Sequence, residues 1–388
     1  MLIERETELG LLASTLQQGR AGAGSTVVIR GPLGAGRTAL VGAIAALAGP
    51  LGIRAARAAA APAEQDFAFG VVRQLLEPVL DGLDGPTGGP AGLPCDDPVP
   101  GEPAGVLAAL HELTVRLAAA QPLVLLVDDV QWADDPSLEW LGHLARRLRS
   151  VAAVLVLTVR EGDPAGERAP VRALLAGAEH ASSLRPLSPA GTAAVLGGRF
   201  GGAVEPGFVR ACHRMSGGNP LVLGALLTAV AEAGLTPGAA QVHRLPGLSL
   251  PLLRRRVAAC LRHQPAAVRA VAKAVALLDG QADADQIGRL AGTDRLDCTR
   301  VLDALHRMGL LTEGPRPRPA HPAIRDALEE LISLAEREQL HLRAAGILLA
   351  DGGGVEEVAG QLVAVAAAQG PWAREVLREA ADQPGRRR

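Results

Sequence analysis

The chain has 388 residues, a formal net charge of −2 and 48% hydrophobic residues. This length is sufficient for two or three domains, and the composition is that of a protein with packed cores. The near-neutral charge argues against general attraction to nucleic acid or to anionic membranes. An aromatic content of 2% without any tyrosine argues against a platform for stacking bases.

The sequence also indicates a cellular compartment. Its four cysteines are far apart and form no C-x-x-C pair, which favours buried or incidental thiols in a reducing cytosol over zinc or disulfides. The N-terminus, MLIERETELG, lacks the apolar core of a signal peptide. The longest apolar runs, such as residues 151–159, are about half of the roughly 20 residues that a membrane helix needs. We therefore predict a soluble, cytoplasmic protein.

The first part of the chain alternates between helix and strand patterns. Leu9, Leu12 and Leu16 have helical spacing and predict an N-terminal helix. The segments predicted after it are a strand at 27–30, a helix at 38–47, an exposed loop rich in Gly, Pro and Asp at 81–103, a helix at 106–119, a strand at 123–127, a helix at 137–148 and a strand at 154–159. This order predicts a parallel sheet with helices on both faces.

From about residue 187 the pattern is wholly helical. The predicted segments are helices at 189–200, 206–216 and 220–233, a linker at 234–246, helices at 251–260, 266–278, 284–290 and 297–308, and helical stretches at 333–350 and 355–381. The intervening sequence GLLTEGPRPRPAHP predicts a short strand and a proline-rich hairpin. Helices followed by such a hairpin indicate a winged helix.

A glycine-rich turn at residues 31–40, GPLGAGRTAL, fits the phosphate-binding pattern G-x-x-x-x-G-K-[ST] except that Arg37 replaces the lysine. In such a loop, backbone N–H groups and a helix N-terminus bind phosphate oxygens. Thr38 would offer its hydroxyl to Mg²⁺, and Arg37 would reach the β and γ phosphates. The predicted nucleotide-binding residues here are Gly31, Gly34, Gly36, Arg37, Thr38 and Ala39. An ordinary glycine-rich turn is the alternative interpretation.

An acidic pair follows a later apolar strand in LVLLVDDVQWADDPS. Asp128 and Asp129 would lie at the carboxyl edge of the sheet, where Asp128 would hold Mg²⁺ through water and Asp129 would orient or polarise the attacking water. Thr158 and Arg160 end the next strand, which places Arg160 to contact a γ-phosphate. A solvated acidic loop or helix cap, and an ordinary surface arginine, are the alternatives.

Taken together, these motifs resemble the nucleotide-binding module of the large ATP-binding LuxR-type transcriptional regulators, in the STAND class of P-loop NTPases. The resemblance covers nearly the whole chain and includes LIERETEL, EQDFAFGVVRQLLEP, DDVQWADDPSLEWL, LRPLSP, SGGNPL, HPAIRDAL, REQLHLRAAGILLA and PWAREVLREAA. It implies an α/β P-loop NTPase domain at 1–180, an all-α lid at 181–240, a winged-helix domain at 241–335 and the start of a helical arm at 336–388. These domains would close around ADP or ATP with Mg²⁺.

The resemblance also implies roles for single residues. By matching positions, Ile3 and Arg5 would line the adenine side, Pro220 would pack near the base, and His321 would reach toward the β-phosphate of ADP. For SGGNPL, simple punctuation between two helices is an adequate alternative. For His321, the alternative is a histidine at a helix N-terminus without a ligand.

Four departures from the family pattern qualify these implications. The family normally has lysine at Arg37, glycine at Glu4 and a large apolar residue at Ala320, and it continues into a repeat arm and a helix-turn-helix, whereas this chain stops at DQPGRRR. A guanidinium is broad and planar, so Arg37 should shift or displace the γ-phosphate. Loss of a contact of about 3 kcal/mol would slow turnover about a hundredfold. We therefore predict an ATP/ADP-binding regulatory switch with weak or absent hydrolysis.

Three other functions remain open at this stage. One is an active AAA-type ATPase that works as an oligomer. Another is direct DNA binding by the winged helix through the arginines of LLRRRVAACLRH (Arg254, Arg255, Arg256 and Arg262), which we do not expect without a C-terminal helix-turn-helix. The last is a truncated, non-functional remnant. For the switch, the expected partners are an adenine nucleotide and a homo-oligomer or a transcription-related protein.

Overall fold

The computed structural model describes residues 2–80, 92–96, 103–202, 204–365 and 370–382. The chain divides into two compact units, Met1–Pro246 and Gly247–Arg388. Among the helices of these described segments, none is both long and apolar enough to cross a membrane.

Five parallel strands form the sheet of the first unit. They are β1 (Ser25–Gly31), β2 (Arg54–Ala59), β3 (Leu123–Asp128), β4 (Ala153–Arg160) and β5 (His180–Ser183), in the spatial order β2-β3-β4-β1-β5. The register pairs Gly31 with Arg160 and Ala59 with Asp128. The last residues of β1, β3 and β4 therefore meet at one edge of the sheet, as the sequence predicts.

Helices cover both faces of this sheet and confirm the predicted layers. They are α1 (Glu6–Arg20), α2 (Arg37–Ala48), α3 (Gly70–Leu80), α4 (Pro103–Ala120), α5 (Asp135–Ala145) and α6 (Ala169–Ala176). On one face, α1 and α2 pack Leu16 and Ile44 against Val27, Val124 and other strand residues. On the other face, α3 to α6 pack against the alternate strand residues. Strands buried on both faces are typical of parallel sheets.

Three helices complete the first unit: α7 (Pro189–Phe200), α8 (Pro206–Ser216) and α9 (Pro220–Glu232). Each begins with proline, which suits the first helical position because that N–H has no intrahelical acceptor. Ser188 caps α7 and Asn219 caps α9 through their side-chain oxygens. A 3₁₀ helix, Ala239–Gly247, occupies part of the predicted linker.

The second unit is helical. Its helices are α10 (Pro251–Arg262), α11 (Ala266–Leu278), α12 (Ala284–Ala291), α13 (Arg295–Arg307), α14 (Pro322–Glu329), α15 (Leu334–Ala350), α16 (Val355–Val363) and α17 (Pro371–Asp382). Between α13 and α14 the chain makes a hairpin with a single antiparallel bridge, Leu311 to Pro319. Prolines lack the N–H that a longer ladder requires, so the predicted short strand does not form among the described residues of this unit.

The structure corrects the sequence interpretation at several points. It contains four elements that the sequence did not predict, β2, β5, α3 and α6. The segment at 81–103 is not wholly an exposed loop, because Leu93 and Cys95 are buried in the core; residues 81–91 and 97–102 of that prediction lie outside the described residues. The predicted helical stretch 355–381 contains two helices, α16 and α17. All four cysteines are buried and none forms a disulfide in the described structure.

Candidate functional site

The glycine-rich loop connects β1 to α2 and has the backbone of an anion-binding turn. Gly34 and Gly36 have φ angles of +79° and +97°, a region that glycine adopts without steric cost. Gly36 is the N-cap of α2, and Arg37 is the first residue of that helix. The first N–H groups of a helix have no intrahelical acceptor and carry the positive end of its dipole. This loop is therefore suited to bind a phosphate.

Donors from the rest of the unit hold the carbonyl groups of the loop. From Gly31 to Ala35, each carbonyl oxygen accepts a hydrogen bond. Arg37 Nη1 donates to the Gly31 and Pro32 carbonyls. Asn219 Nδ2 donates to the Leu33 carbonyl (2.8 Å), the Leu221 N–H to the Gly34 carbonyl (3.3 Å) and Arg5 Nη2 to the Ala35 carbonyl (3.2 Å). A trans peptide directs its C=O and its N–H to opposite sides. These contacts therefore direct the N–H group of each following residue to the opposite side; among these groups, the Ala35 N–H donates to the Pro32 carbonyl at 3.3 Å.

The Arg37 side chain connects the loop to the acidic pair. Its Nη1 donates to the Gly31 carbonyl and to the Pro32 carbonyl (2.8 Å), while Nη2 lies 2.9 Å from Asp129 Oδ1. The side chain is only 8% exposed. A planar guanidinium can contact these three oxygens at once, whereas the compact lysine ammonium would present a single charged point. Arginine at this position thus has a defined structural consequence.

The predicted metal ligands, Thr38 and Asp128, lie next to each other. Thr38 Oγ1 donates to Asp128 Oδ2 at 2.6 Å. Thr158 Oγ1 donates to the other oxygen, Oδ1, and accepts a bond of 2.9 Å from the Asp129 N–H. Thr158 therefore orients both residues of the acidic pair from the neighbouring strand. The structure brings all four of these predicted residues together at the edge of the sheet.

Asp129 lies between two arginines. Arg160 Nη2 is 3.2 Å from Asp129 Oδ2, opposite Arg37, and Gln131 Nε2 donates to Oδ1 at 3.2 Å. Burial, the largest influence, raises the pKa of Asp129, but Arg160, then Arg37 and the hydrogen bonds from Gln131 and Arg37 outweigh it and lower the pKa overall. Asp129 is thus a stable carboxylate with reduced basicity. The buried Gln131 was missed, although it is only two residues from Asp129.

On the predicted adenine side, Arg5 is buried and contacts two distant segments. Its guanidinium donates to the carbonyls of Ala35 (3.2 Å) and Arg185 (2.9 Å). Half-buried Ile3 lies two residues before it. Arg5 therefore joins the P-loop to the segment that leads into α7, and this contact was not predicted.

Glu4 has a backbone conformation that favours glycine. Its φ angle is +55°, which lies in the left-handed region. This region is energetically unfavourable for any residue that has a Cβ atom. Its carboxylate accepts hydrogen bonds from the Ser188 N–H (2.7 Å) and the Ser188 hydroxyl. The side-chain hydrogen bond from Ser188 is the largest cause of the lowered pKa of Glu4. A side chain thus links the N-terminal segment to the start of α7.

The SGGNPL motif does more than separate two helices. Pro220 begins α9, and Asn219 Oδ1 caps it by accepting from the Leu221 N–H at 2.9 Å. The same asparagine donates from Nδ2 to the Leu33 carbonyl of the P-loop. A Cβ built on Gly34 would lie 2.3 Å from Leu221 Cβ. The motif is therefore packed directly on the P-loop.

His321 lies in the second unit, where it is the N-cap of α14. Its Nδ1 accepts a hydrogen bond of 3.0 Å from the Ala323 N–H, so the neutral ring carries its proton on Nε2. Burial lowers the pKa of His321, with partial opposition from Asp326. Within the described residues, Nε2 has no hydrogen-bond partner. The predicted contact between His321 and a phosphate remains a prediction.

Comparison with known proteins agrees with this geometry. A family model described as the AAA ATPase domain matches residues 1–157. This stretch is an AAA-like P-loop module. No curated protein matches the chain in sequence.

Solved structures are similar in fold to a longer part of the chain than the family model matches. The Walker-type ATPase of Pyrococcus abyssi is 14% identical with a TM-score of 0.56, over 84% of this chain and 96% of that one. The ORC2 protein of Aeropyrum pernix, solved in ADPNP–ADP complexes, is 17% identical with a TM-score of 0.50, over 85% and 94%. At these identities the likeness shows the fold alone.

A third match is a STAND protein with a tetratricopeptide-repeat sensor from Pyrococcus horikoshii. It is 16% identical, and the match covers 98% of this chain and 50% of that one. Its TM-score is 0.38, which is too low to support an argument about structure.

Proposed function

We propose that this protein is an ATP- and ADP-binding regulatory switch of the STAND type that acts in transcriptional regulation and hydrolyses ATP weakly or not at all. The observation that carries the proposal is the position of Arg37, whose guanidinium binds two P-loop carbonyls and Asp129. The loop keeps the backbone of a phosphate site, while the group expected to orient water is held in an ion pair.

The arrangement around Asp129 accounts for weak hydrolysis. A water molecule that attacks a γ-phosphate has to be oriented or polarised by a nearby group. Asp129 Oδ1 and Oδ2 each face an arginine, at 2.9 Å and 3.2 Å. A carboxylate paired on both oxygens has less free lone-pair capacity and lower basicity for this task. Binding would be affected less, because the backbone N–H groups of the loop remain.

The residues present also fit a magnesium-bound triphosphate. Thr38 and Asp128 offer adjacent oxygen ligands, which suits Mg²⁺. Phosphate oxygens and water molecules would complete its coordination, with Asp128 acting through water. Bound there, Mg²⁺ would neutralise phosphate charge. Thr38 and Asp128 would position it.

The contacts between the P-loop and α9 suggest how bound phosphate affects the lid. The Leu33 and Gly34 carbonyls accept from Asn219 and Leu221 of the lid. A ligand changes a conformational equilibrium only if it binds two states with different affinity. Reorientation of the loop by phosphate would alter these lid contacts and supply that difference. In the proposed closed state, the second unit acts as a winged helix and His321 donates from Nε2 to the β-phosphate.

The proposal is tested by comparing wild type with Arg37→Lys. We expect Mg-ATP and Mg-ADP to bind both proteins and Arg37→Lys to raise single-turnover hydrolysis about a hundredfold. Arg300→Lys, at an exposed site in α13, is the matched control and should change nothing. The double variant Arg37→Lys/Asp129→Asn should lose the gain. Brisk wild-type turnover with no increase in Arg37→Lys would contradict this role of Arg37.

An active AAA-type ATPase that works as an oligomer is the second candidate, favoured by the family match over residues 1–157. It predicts growth in particle size on addition of Mg-ATP, together with hydrolysis that rises steeply with protein concentration. The switch requires neither. Light scattering with Mg-ATP and Mg-ADP separates the two functions.

A further inference from the structure

A polar cavity of about 340 Å³ lies within the second unit. It is partly open to solvent and is lined by residues of α11, α14, α15 and α16 and of the turns that follow α11, α14 and α16. Leu277, Ile332 and Ala364 supply apolar wall, and the remaining wall is mostly charged or amide side chains. Its volume is at the small end of the roughly 300–1,000 Å³ range of ligand pockets, which suits a small metabolite.

A partly buried chain of hydrogen bonds orders one side of this cavity. Gln361 is 4% exposed, and its Nε2 donates to Gln281 Oε1 at 2.9 Å. Its Oε1 therefore accepts from Nδ1–H of His341, at 2.8 Å. The neutral His341 ring then has an unprotonated Nε2 as a hydrogen-bond acceptor. Linked hydrogen bonds of this kind fix the orientation of the side chains, which is the property that a binding site requires.

Charges of both signs line the same cavity. Arg325 is bound through Nε to Glu329 Oε1 (2.8 Å) and through Nη1 to Asp279 Oδ2 (2.7 Å). Arg337 donates from Nη2 to the Glu329 carbonyl at 3.2 Å. Within the part of the chain that the structure describes, Arg325 Nη2 and Arg337 Nη1 have no protein acceptor. Two arginines and two carboxylates give a formal charge of zero.

We propose that this cavity binds a free α-amino acid with an apolar side chain. The ligand carboxylate would accept from the available N–H groups of Arg337 and Arg325, as carboxylates do from guanidinium groups. Its ammonium would donate to Asp279 and to Nε2 of His341, and its side chain would lie against Leu277 and Ile332. A zwitterion adds no net charge to a site whose own side chains sum to zero, and each of its two charged ends would face a side chain of the opposite charge.

Calorimetry with L-leucine tests this site on the full chain. We expect one binding site per chain, with binding at least about tenfold weaker for 4-methylpentanoate, which lacks the ammonium, and for isoamylamine, which lacks the carboxylate. Arg337→Gln and His341→Phe should each weaken L-leucine binding at least about tenfold. Arg343→Gln, at an exposed site on the same helix that does not line the cavity, should leave it unchanged.

Nucleotide affinity separates this proposal from the proposed switch. Circular dichroism should show that the variants are folded, and Arg337→Gln should bind Mg-ATP as wild type does. The proposal is wrong if L-leucine at about 10 mM gives neither heat nor a rise in melting temperature, since a ligand in excess of its Kd must stabilise the folded state. The proposal would also be overturned if Arg337→Gln bound L-leucine as tightly as wild type does. The same holds if wild type bound 4-methylpentanoate or isoamylamine as tightly as L-leucine.

Discussion

Gly34 of the P-loop and Leu221 of α9 are in such close contact that no side chain fits between them. A Cβ on Gly34 would lie 2.3 Å from Leu221 Cβ and 2.7 Å from Asn219 Oδ1. Real Cβ atoms do not approach neighbours this closely. The contact therefore makes Gly34 a packing residue for α9 as well as a turn residue.

Gly34→Ala should destabilise the first unit by at least about 2 kcal/mol, because backbone strain and overpacking each cost about 1–3 kcal/mol. Gly36 also has a positive φ, but a Cβ at this position would have no neighbouring atom within 4 Å. Gly36→Ala should therefore reduce stability by only about 1 kcal/mol. Gly42→Ala, in open space inside α2, should stabilise by about 0.5–1 kcal/mol. Urea denaturation measures the three values. Equal losses for Gly34→Ala and Gly36→Ala would refute the packing role.

Glu4→Gln should lower the melting temperature at pH 7 and lose this effect in acid. The pKa of Glu4 is lowered below its ordinary 4.5, chiefly by the hydrogen bond from the Ser188 hydroxyl. A lowered pKa means that its stabilisation is complete above pH 4.5 and is lost as the pH falls through the folded-state value. Ser188→Ala should reduce the same pH-dependent difference. A wild-type-to-variant difference that is constant from pH 7 to pH 3 would contradict this account.

Asp129→Asn should destabilise the first unit by about 2 kcal/mol at pH 7. Removal of one member of a fully buried ion pair costs about 3–5 kcal/mol, and the loss here is smaller because a quarter of the Asp129 side chain is exposed. The pKa of Asp129 is lowered, so this stabilisation is present above pH 3.8 and disappears as the pH falls below it. Denaturation of wild type and Asp129→Asn at pH 7 and pH 3 measures how the difference in their free energies of unfolding changes with pH. A larger difference at pH 3 would be incompatible with the ion pairs described.

Asp134→Ala should be much more damaging than Asp135→Ala, although the two residues are adjacent. The buried Asp134 carboxylate accepts from the N–H groups of Phe69 (2.8 Å) and Ser137 (2.9 Å), so it ties the start of α3 to the start of α5. Loss of a helix cap costs about 0.5–2 kcal/mol, and the second bond adds a similar amount. Asp135 is largely exposed and pairs with Arg168 at the surface, which is worth about 0–1 kcal/mol. Thermal unfolding of both variants should separate them by several degrees.

The P-loop and the acidic pair were predictable because local sequence specifies them. Positive φ angles demand glycine at Gly34 and Gly36, and the apolar residues of β3 place Asp128 at the sheet edge. By contrast, the bond from Asn219 to the Leu33 carbonyl joins residues 186 positions apart, and no local pattern encodes it. Local sequence alone therefore explains SGGNPL as helix punctuation; the family resemblance implied a place for Pro220 near the base, but neither predicted the bond from Asn219 to the loop.

The missed strands show a different limit of local sequence. β2 reads RAARAA, and alanine and arginine do not favour strands, so its pairing with β3 determines the structure. β5 has only four residues, HASS, and depends on its register with β1. In the second unit, the hairpin was predicted correctly, but its prolines restrict the pairing to one bridge.

Isothermal titration of the full chain with ATP and ADP, with and without Mg²⁺, tests the central claim most directly. The account predicts one nucleotide site per chain, strengthened by Mg²⁺ for ATP through Thr38 and Asp128, and weakened for Mg-ATP in Asp128→Ala. Absence of binding by either nucleotide, with or without Mg²⁺, would contradict it.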